Sequence, residues 1–254
     1  MKRLKLTLSY DGAPWQGWQS QPNGKSVQDQ LEAALEIVTK VKTGVHGSGR
    51  TDTGVHALAQ IAHCDVADTL TMSPSNWIRA LNTHLPRSIR VVACEFAPET
   101  FHARFDAKGK IYRYRICRGD VLSPFEHQRA WHVHGELDLD ILRTCAQALL
   151  GTHNFARLSA FRGGPKEAAT RGDPAVTTRT IHRVDIIENG DVLEIEFEGD
   201  GFLYKMVRLL TGAMIHAARG EGAAWFEALL TVLDGPKNNQ CAPADGLYLV
   251  KVLY

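Results

Sequence analysis

The chain has 254 residues, 44% of them hydrophobic and 22% charged, enough for one large domain or two of ordinary size around a substantial core. These are the proportions of a soluble globular protein, and no stretch approaches the roughly 20 apolar residues needed to cross a bilayer. A formal net charge of +1 argues neither for nor against a nucleic-acid partner.

The N-terminal residues start basic and then alternate, without the solid apolar run of a signal peptide, so a cytoplasmic protein is expected. Here "LKLTLSY" sets Leu4, Leu6, Leu8 and Tyr10 on one side, the period of a half-buried strand. "SVQDQLEAALEIVTK" spaces Val27, Leu31, Leu35 and Val38 for a helix, with Ser26 as its N-cap. "ALAQIAHCDV" predicts a strand, "SPSNWIRALNTHL" a helix with Trp77, Ile78 and Leu81 inward, and "IRVVACEF" a strand. "KIYRYRI" and "RAWHVHG" read as strands joining two halves.

The second half has a comparable rhythm. "LDILRTCAQALLG" predicts a helix, and "TIHRVDIIENGDVLEIEFEG" a strand pair about an Asn189-Gly190-Asp191 turn. "FLYKMVRLLTGAMIHAARG" reads as a helix with Leu203, Met206, Val207 and Leu210 on one stripe, and "AAWFEALLTVL" as a shorter one before a last strand, "GLYLVKVLY". Residues 159–178, with Arg162, Lys166 and Arg171, read as a long mobile loop, functional or merely tolerated. The order suggests two α+β units.

Charge is unevenly spread. His102 to Arg118 holds six Lys/Arg against Asp106 alone, and Val184 to Asp200 holds seven Asp/Glu and no Lys/Arg. The asymmetry suggests a basic surface set apart from an acidic one; the alternative is two solvated sheet faces of opposite sign. Five scattered cysteines, with no CxxC and no HExxH, predict buried thiols and neither a disulfide framework nor a zinc site.

One stretch concentrates chemistry: "HGSGRTDTGVHA", His46 to Ala57. Glycines let a backbone turn tightly or let another molecule approach it. Arg50, two residues before Asp52, can keep that carboxylate ionised or grip a phosphate. The phosphate-loop pattern GxxxxGK[ST] is absent, and His46 and His56 alone are thin support for a metal. What remains is a lone carboxylate on a tight loop between two strands; Arg50 and Asp52 could equally just tie down the turn.

"GRTDTGVHALAQ" closely resembles the signature of the tRNA pseudouridine synthase A family. "YDGAPWQGWQSQPNGKSVQDQLE", "LPRSIRV", "FHARFDAKGKIYRYRI", "GFLYKMVRLLTG" and "DGLYLVKVLY" are similar to further family motifs in the family's order, from about Leu4 to the C-terminus. The resemblance implies isomerisation of uridine to pseudouridine at positions 38, 39 and 40 in the tRNA anticodon arm, with no metal or other cofactor. It implies Asp52 as the catalytic carboxylate (nucleophile), Arg208 as its partner, and Tyr112 as the residue on the uracil face that helps move the C5 proton. It further implies Leu247 in the base pocket and Arg50 at the space left by a flipped nucleotide. Arg104, Lys110 and Arg113, with Lys108 and Arg115, become candidates for phosphate contacts along the tRNA. The implied fold is α+β, two similar subdomains (1–104 with the Asp loop, 105–254 with the 159–178 loop), each a mainly antiparallel sheet backed by helices, meeting in a basic cleft. A homodimer is expected. Rival readings are a family member with another RNA target and a non-catalytic RNA-binding module.

Overall fold

The computed structural model describes residues 1–161, 173–232 and 234–254, so most of the expected 159–178 loop, including Arg162, Lys166 and Arg171, lies outside the described residues. The chain forms two compact units, residues 1–108 with 248–254, and residues 109–247. Both combine a largely antiparallel sheet with helices, an α+β architecture.

In the first unit the central strand is β1 (Lys2–Tyr10). It pairs antiparallel with β3 (His56–Val66) on one side and β4 (Ile89–Ala97) on the other. Leu4, Leu6, Leu8 and Tyr10 are all buried, as the alternation requires. A two-residue β2 (His46–Gly47) also pairs with β3, and β10 (Leu247–Leu253) runs parallel to β3, with Tyr248 opposite His56. Between Leu8 and Tyr10 the register with β3 slips from Gln60 to Ala57, a bulge where the Asp52 loop feeds into the strand.

Helix α1 (Val27–Thr39) starts at a capping box: Ser26 Oγ accepts from Asp29 N at 3.1 Å, and the Asp29 carboxylate accepts from Ser26 N at 3.1 Å. Helix α2 (Pro74–His84) is capped by Ser73, with Pro74 in its first turn. It packs on β4 and against α1 through Trp77 and Leu81, while Ile78, expected inward, stays partly exposed.

The second unit has the sheet order β5 (Gly109–Cys117), β9 (Val192–Gly199), β8 (Thr178–Asn189), β7 (Gly151–Asn154). The stretch "RAWHVHG" gives only β6 (Trp131–His132), beside β5, and both lie inside this unit. On one sheet face Tyr114, Ile116, Leu193, Ile195 and Phe197 are fully buried. With them pack α3 (Leu139–Ala148), α5 (Met206–His216) and α6 (Ala223–Thr231); Pro174–Thr177 is a single helical turn, α4. The helix expected from Phe202 begins only at Met206, because Lys205 adopts a left-handed φ of 58°. Arg157, buried, replaces missing helical partners at the end of α6: its guanidinium donates to Ala228 O and Val232 O, both at 2.7 Å, and to Pro236 O at 2.8 Å.

The opposite sheet face overturns the idea of separated basic and acidic surfaces. Register puts Arg113 opposite Glu196 and Arg115 opposite Glu194. Arg113 contacts Glu196 at 3.0 Å and Glu194 at 3.4 Å; Arg115 contacts Glu194 at 3.1 Å and Glu126 at 2.8 Å. Arg183 on β8 adds ion pairs to Glu196, Glu198 and Asp185. Along β5 the basic run therefore interleaves with the glutamates of β9 on one face, and those charges neutralise each other. Burial alone would raise the Glu196 carboxyl, yet hydrogen bonds from Arg183 and Arg113 hold it below the usual carboxylate range.

The five cysteines are free thiols. Burial pushes Cys64 and Cys145 up to about 12 and Cys94 to about 11, which keeps them protonated and unreactive. Among the described residues no helix is long and apolar enough to cross a membrane.

Candidate active site

The residues singled out from the sequence fall in both units. Arg50, Asp52 and Arg104 belong to the first; Lys110, Tyr112, Arg113, Arg208 and Leu247 belong to the second.

Asp52, partly exposed, lies on the loop between β2 and β3. The loop is held mainly through its backbone by residues 10–18. Trp18 N donates to Thr51 O at 3.1 Å, and Gly54 N to Trp15 O at 3.4 Å. The Tyr10 hydroxyl lies 2.8 Å from Thr51 Oγ1, and burial raises its pKa, so it remains a neutral hydroxyl. The loop also closes on itself, Val55 N donating to Asp52 O at 3.1 Å. Upstream, Ser48 N donates to Ile61 O at 2.7 Å, and the Gln60 amide donates to Gly49 O at 2.9 Å. Downstream, Gly12 N donates to His56 Nδ1 at 3.0 Å, and the His56 ring stacks on Tyr248 with centroids 4.5 Å apart. The residues on either side of Asp52 are thus fixed by hydrogen bonds within the fold.

Of the two uses expected of the glycines, the structure displays the tight turn and close packing. Gly47 lies against the Trp18 indole, where a Cβ would sit 2.5 Å from ring atoms, and Gly54 turns the loop with φ of 80°. The tightest approach comes from outside the quoted stretch: a Cβ on Gly17 would be 2.6 Å from Thr51 O and 3.0 Å from the Asp52 carbonyl carbon. Sequence reasoning missed this cradle, although its signal was present in "YDGAPWQGWQSQ", where small and very large residues alternate.

Helix α5 carries the second set. Nine of its eleven residues are buried, the exceptions being Arg208 and His216. A guanidinium on a helix otherwise immersed in the core needs a polar reason to be there. Arg208 Nε donates to Ala242 O at 2.8 Å, and Ala242 N returns a bond to Arg208 O at 3.0 Å. The adjoining segment is tied to β5, since the Tyr114 hydroxyl donates to Pro243 O at 2.7 Å and Arg115 N to Gly246 O at 2.8 Å. It ends at Leu247, buried at the start of β10. Tyr112, two residues before Tyr114, meets Phe202 edge to face at 5.1 Å. Tyr112 and Arg208 are therefore steadied by the segments flanking α5, and Phe202 and Ala242 are positioning elements the sequence did not reveal.

Arg50 and Arg104 are exposed and Lys110 is partly exposed. Arg113 differs, its charge being met by Glu194 and Glu196. No group of three or more His, Cys, Asp or Glu among the described residues is arranged to hold a metal ion.

Comparison with known proteins identifies the family. The family described as tRNA pseudouridine synthase matches residues 7–106 and 145–254, which include Asp52, Arg104, Arg208 and Leu247. A tRNA pseudouridine synthase A of Akkermansia muciniphila is 45% identical over 258 aligned residues, covering 100% of this chain and 96% of the relative. Proteins of the same name from Bordetella petrii and a Geobacter species are each 40% identical, covering 100% of this chain and 92% and 99% of their own lengths. The chain belongs to the tRNA pseudouridine synthase family, and with it to the isomerases.

Proposed function

We propose that the protein isomerises uridine to pseudouridine in the anticodon stem and loop of tRNA, at positions 38, 39 and 40, with Asp52 as the catalytic carboxylate. The observation that carries this reading is the backbone clamp on Asp52, a partly exposed carboxylate held between Trp18 and Val55 by hydrogen bonds to Thr51 O and Asp52 O.

The reaction breaks the bond from ribose C1′ to uracil N1, turns the base and joins C5 to C1′; a proton leaves C5 and N1 ends protonated. Uracil departs with its charge spread over the ring and two carbonyls, so it needs no second carboxyl as acid, unlike an alkoxide leaving group. Asp52 attacks C1′ or removes a ribose proton; both routes need it ionised. Arg208 supplies the positive charge that keeps it so. Tyr112 packs on the uracil face and assists loss of the C5 proton, and Leu247 lines the base pocket. A uridine in a stem must first leave the stack, and Arg50 takes the vacated space. Arg104 and Lys110 meet phosphates; Arg113 joins them less readily, because its charge is already shared with carboxylates.

Asp52→Asn is the test. The variant is expected to fold and bind tRNA while forming no pseudouridine, read by a pseudouridine-selective chemical label on tRNA. Product at the wild-type rate would exclude Asp52 as the catalytic group, and free uracil would replace isomerisation by hydrolysis. Label mapped to another RNA would move the substrate within the family. The protein is further read as a cytoplasmic homodimer, so sedimentation equilibrium should return twice the chain mass of 28.1 kDa. A single-chain mass opposes it.

A further inference from the structure

The turn at residues 101–106 in the first unit presents side chains that neither the core nor the reaction uses. Phe105 is 75% exposed. A lone exposed phenylalanine calls for no explanation, but this one is the outer end of a pile of rings. His102 lies behind it at 4.2 Å between centroids, His63 behind His102 at 4.7 Å, and His46 stacks on His63 at 5.1 Å. His63 is buried and anchors the inner end, while the Arg104 guanidinium lies 5.8 Å from the Phe105 centroid.

The turn is fixed by hydrogen bonds to neutral imidazoles. Ala103 N donates to His63 Nδ1 at 3.1 Å, and Arg104 N and Phe105 N donate to His102 Nδ1 at 3.1 and 3.2 Å. The Asp106 carboxylate accepts from His102 N at 2.9 Å, and the Tyr254 hydroxyl donates to Ala103 O at 2.6 Å. Phe105 is therefore held outward, not left loose, and a ligand meeting it has little ordering cost to overcome.

A fixed aromatic face beside a guanidinium matches the two surfaces of a nucleotide, a flat π-system and an anionic phosphate. Bases inside a duplex are already stacked on one another, so the occupant must be unpaired. We propose that Phe105, backed by His102 and flanked by Arg104, is a stacking platform for an unpaired nucleobase of the substrate RNA other than the reacting uridine. This rests on the reading of the chain as a tRNA uridine isomerase.

The test measures binding of an anticodon stem-loop RNA in an Asp52→Asn background, where turnover does not interfere. Phe105→Ala is expected to weaken binding about 5- to 150-fold, the range for one lost base stack. Phe105→Trp should restore it, and Phe105→Leu, apolar but not aromatic, should not. Phe105→Ala should leave the salt dependence unchanged, whereas Arg104→Gln should lower the slope of log affinity against log salt by about 0.7 to 0.9, one phosphate. On a fully paired duplex the Phe105→Ala effect should vanish. Unchanged stem-loop binding by Phe105→Ala, or wild-type binding by Phe105→Leu, overturns the proposal. So does a change in sedimentation mass with Phe105→Ala, which would assign the ring to a contact between copies. Should Asp52→Asn still form pseudouridine, the catalytic reading fails while these binding results stand by themselves.

Discussion

Among single residues, Asp52 owes its place to atoms that are not its own. Gly17 has φ of 82° and leaves no room for a Cβ against Thr51 O, whereas Gly24, with φ of 68°, has nothing within 4 Å. The two glycines share the backbone strain and differ only in the clash. Gly24→Ala is therefore expected to cost about 1 kcal/mol of stability, from left-handed strain alone. Gly17→Ala should cost about 1–3 kcal/mol more and lower kcat sharply, because the displaced atoms are backbone beside Asp52. Denaturant unfolding and turnover on the pair decide this, and equal behaviour of the two variants would refute the clamp. Tyr114 has a related, purely structural duty: burial keeps its hydroxyl protonated, so it goes on donating to Pro243 O and holding the segment that anchors Arg208.

Among elements, the 101–106 turn depends on His63, whose Nδ1 accepts a hydrogen bond from Ala103 N. His63 faces His46 from β2, His102 from the turn, Arg3 from β1 and Asp65 from its own strand; burial is the largest influence, with the neighbouring cations next, and its pKa falls from 6.5 to about 4. A folded value below the unfolded one means the group stabilises the fold in full above pH 6.5. That contribution, about 3 kcal/mol, fades as pH falls toward 4. His63→Asn, whose amide oxygen can still accept from Ala103 N, should be flatter between those limits in thermal unfolding followed against pH; a wild-type slope would show that His63 is not the titrating group. Elements with an unbroken period were legible in the sequence: Leu4, Leu6 and Leu8 announced β1, and Ser26 announced the start of α1. Lys205 was not, because a left-handed lysine has no compositional signal and the apolar stripe runs through it. Nor was the pairing of Arg113 and Arg115 with Glu196 and Glu194, which depends on strand register across some eighty residues. Local motifs announced Asp52; its cradle and the Phe202 and Ala242 supports arise from long-range contacts that periodicity does not carry.

For the whole molecule, net charge is a poor guide to RNA binding. A total of +1 conceals charges that pair with one another inside the second unit's sheet, where Arg113 and Arg115 meet Glu194 and Glu196. The path of the chain is more telling. The first unit opens at Met1, is interrupted after Lys108 by the entire second unit, and is completed only by Tyr248–Tyr254. Those closing residues sit beside His56 and Ala57, where the Asp52 loop enters its strand, and Tyr248 covers the His56 ring. Truncation before Tyr248 is therefore expected to strip β3 of its parallel neighbour and to uncover the His56 ring, although every residue of the Asp52 loop is retained.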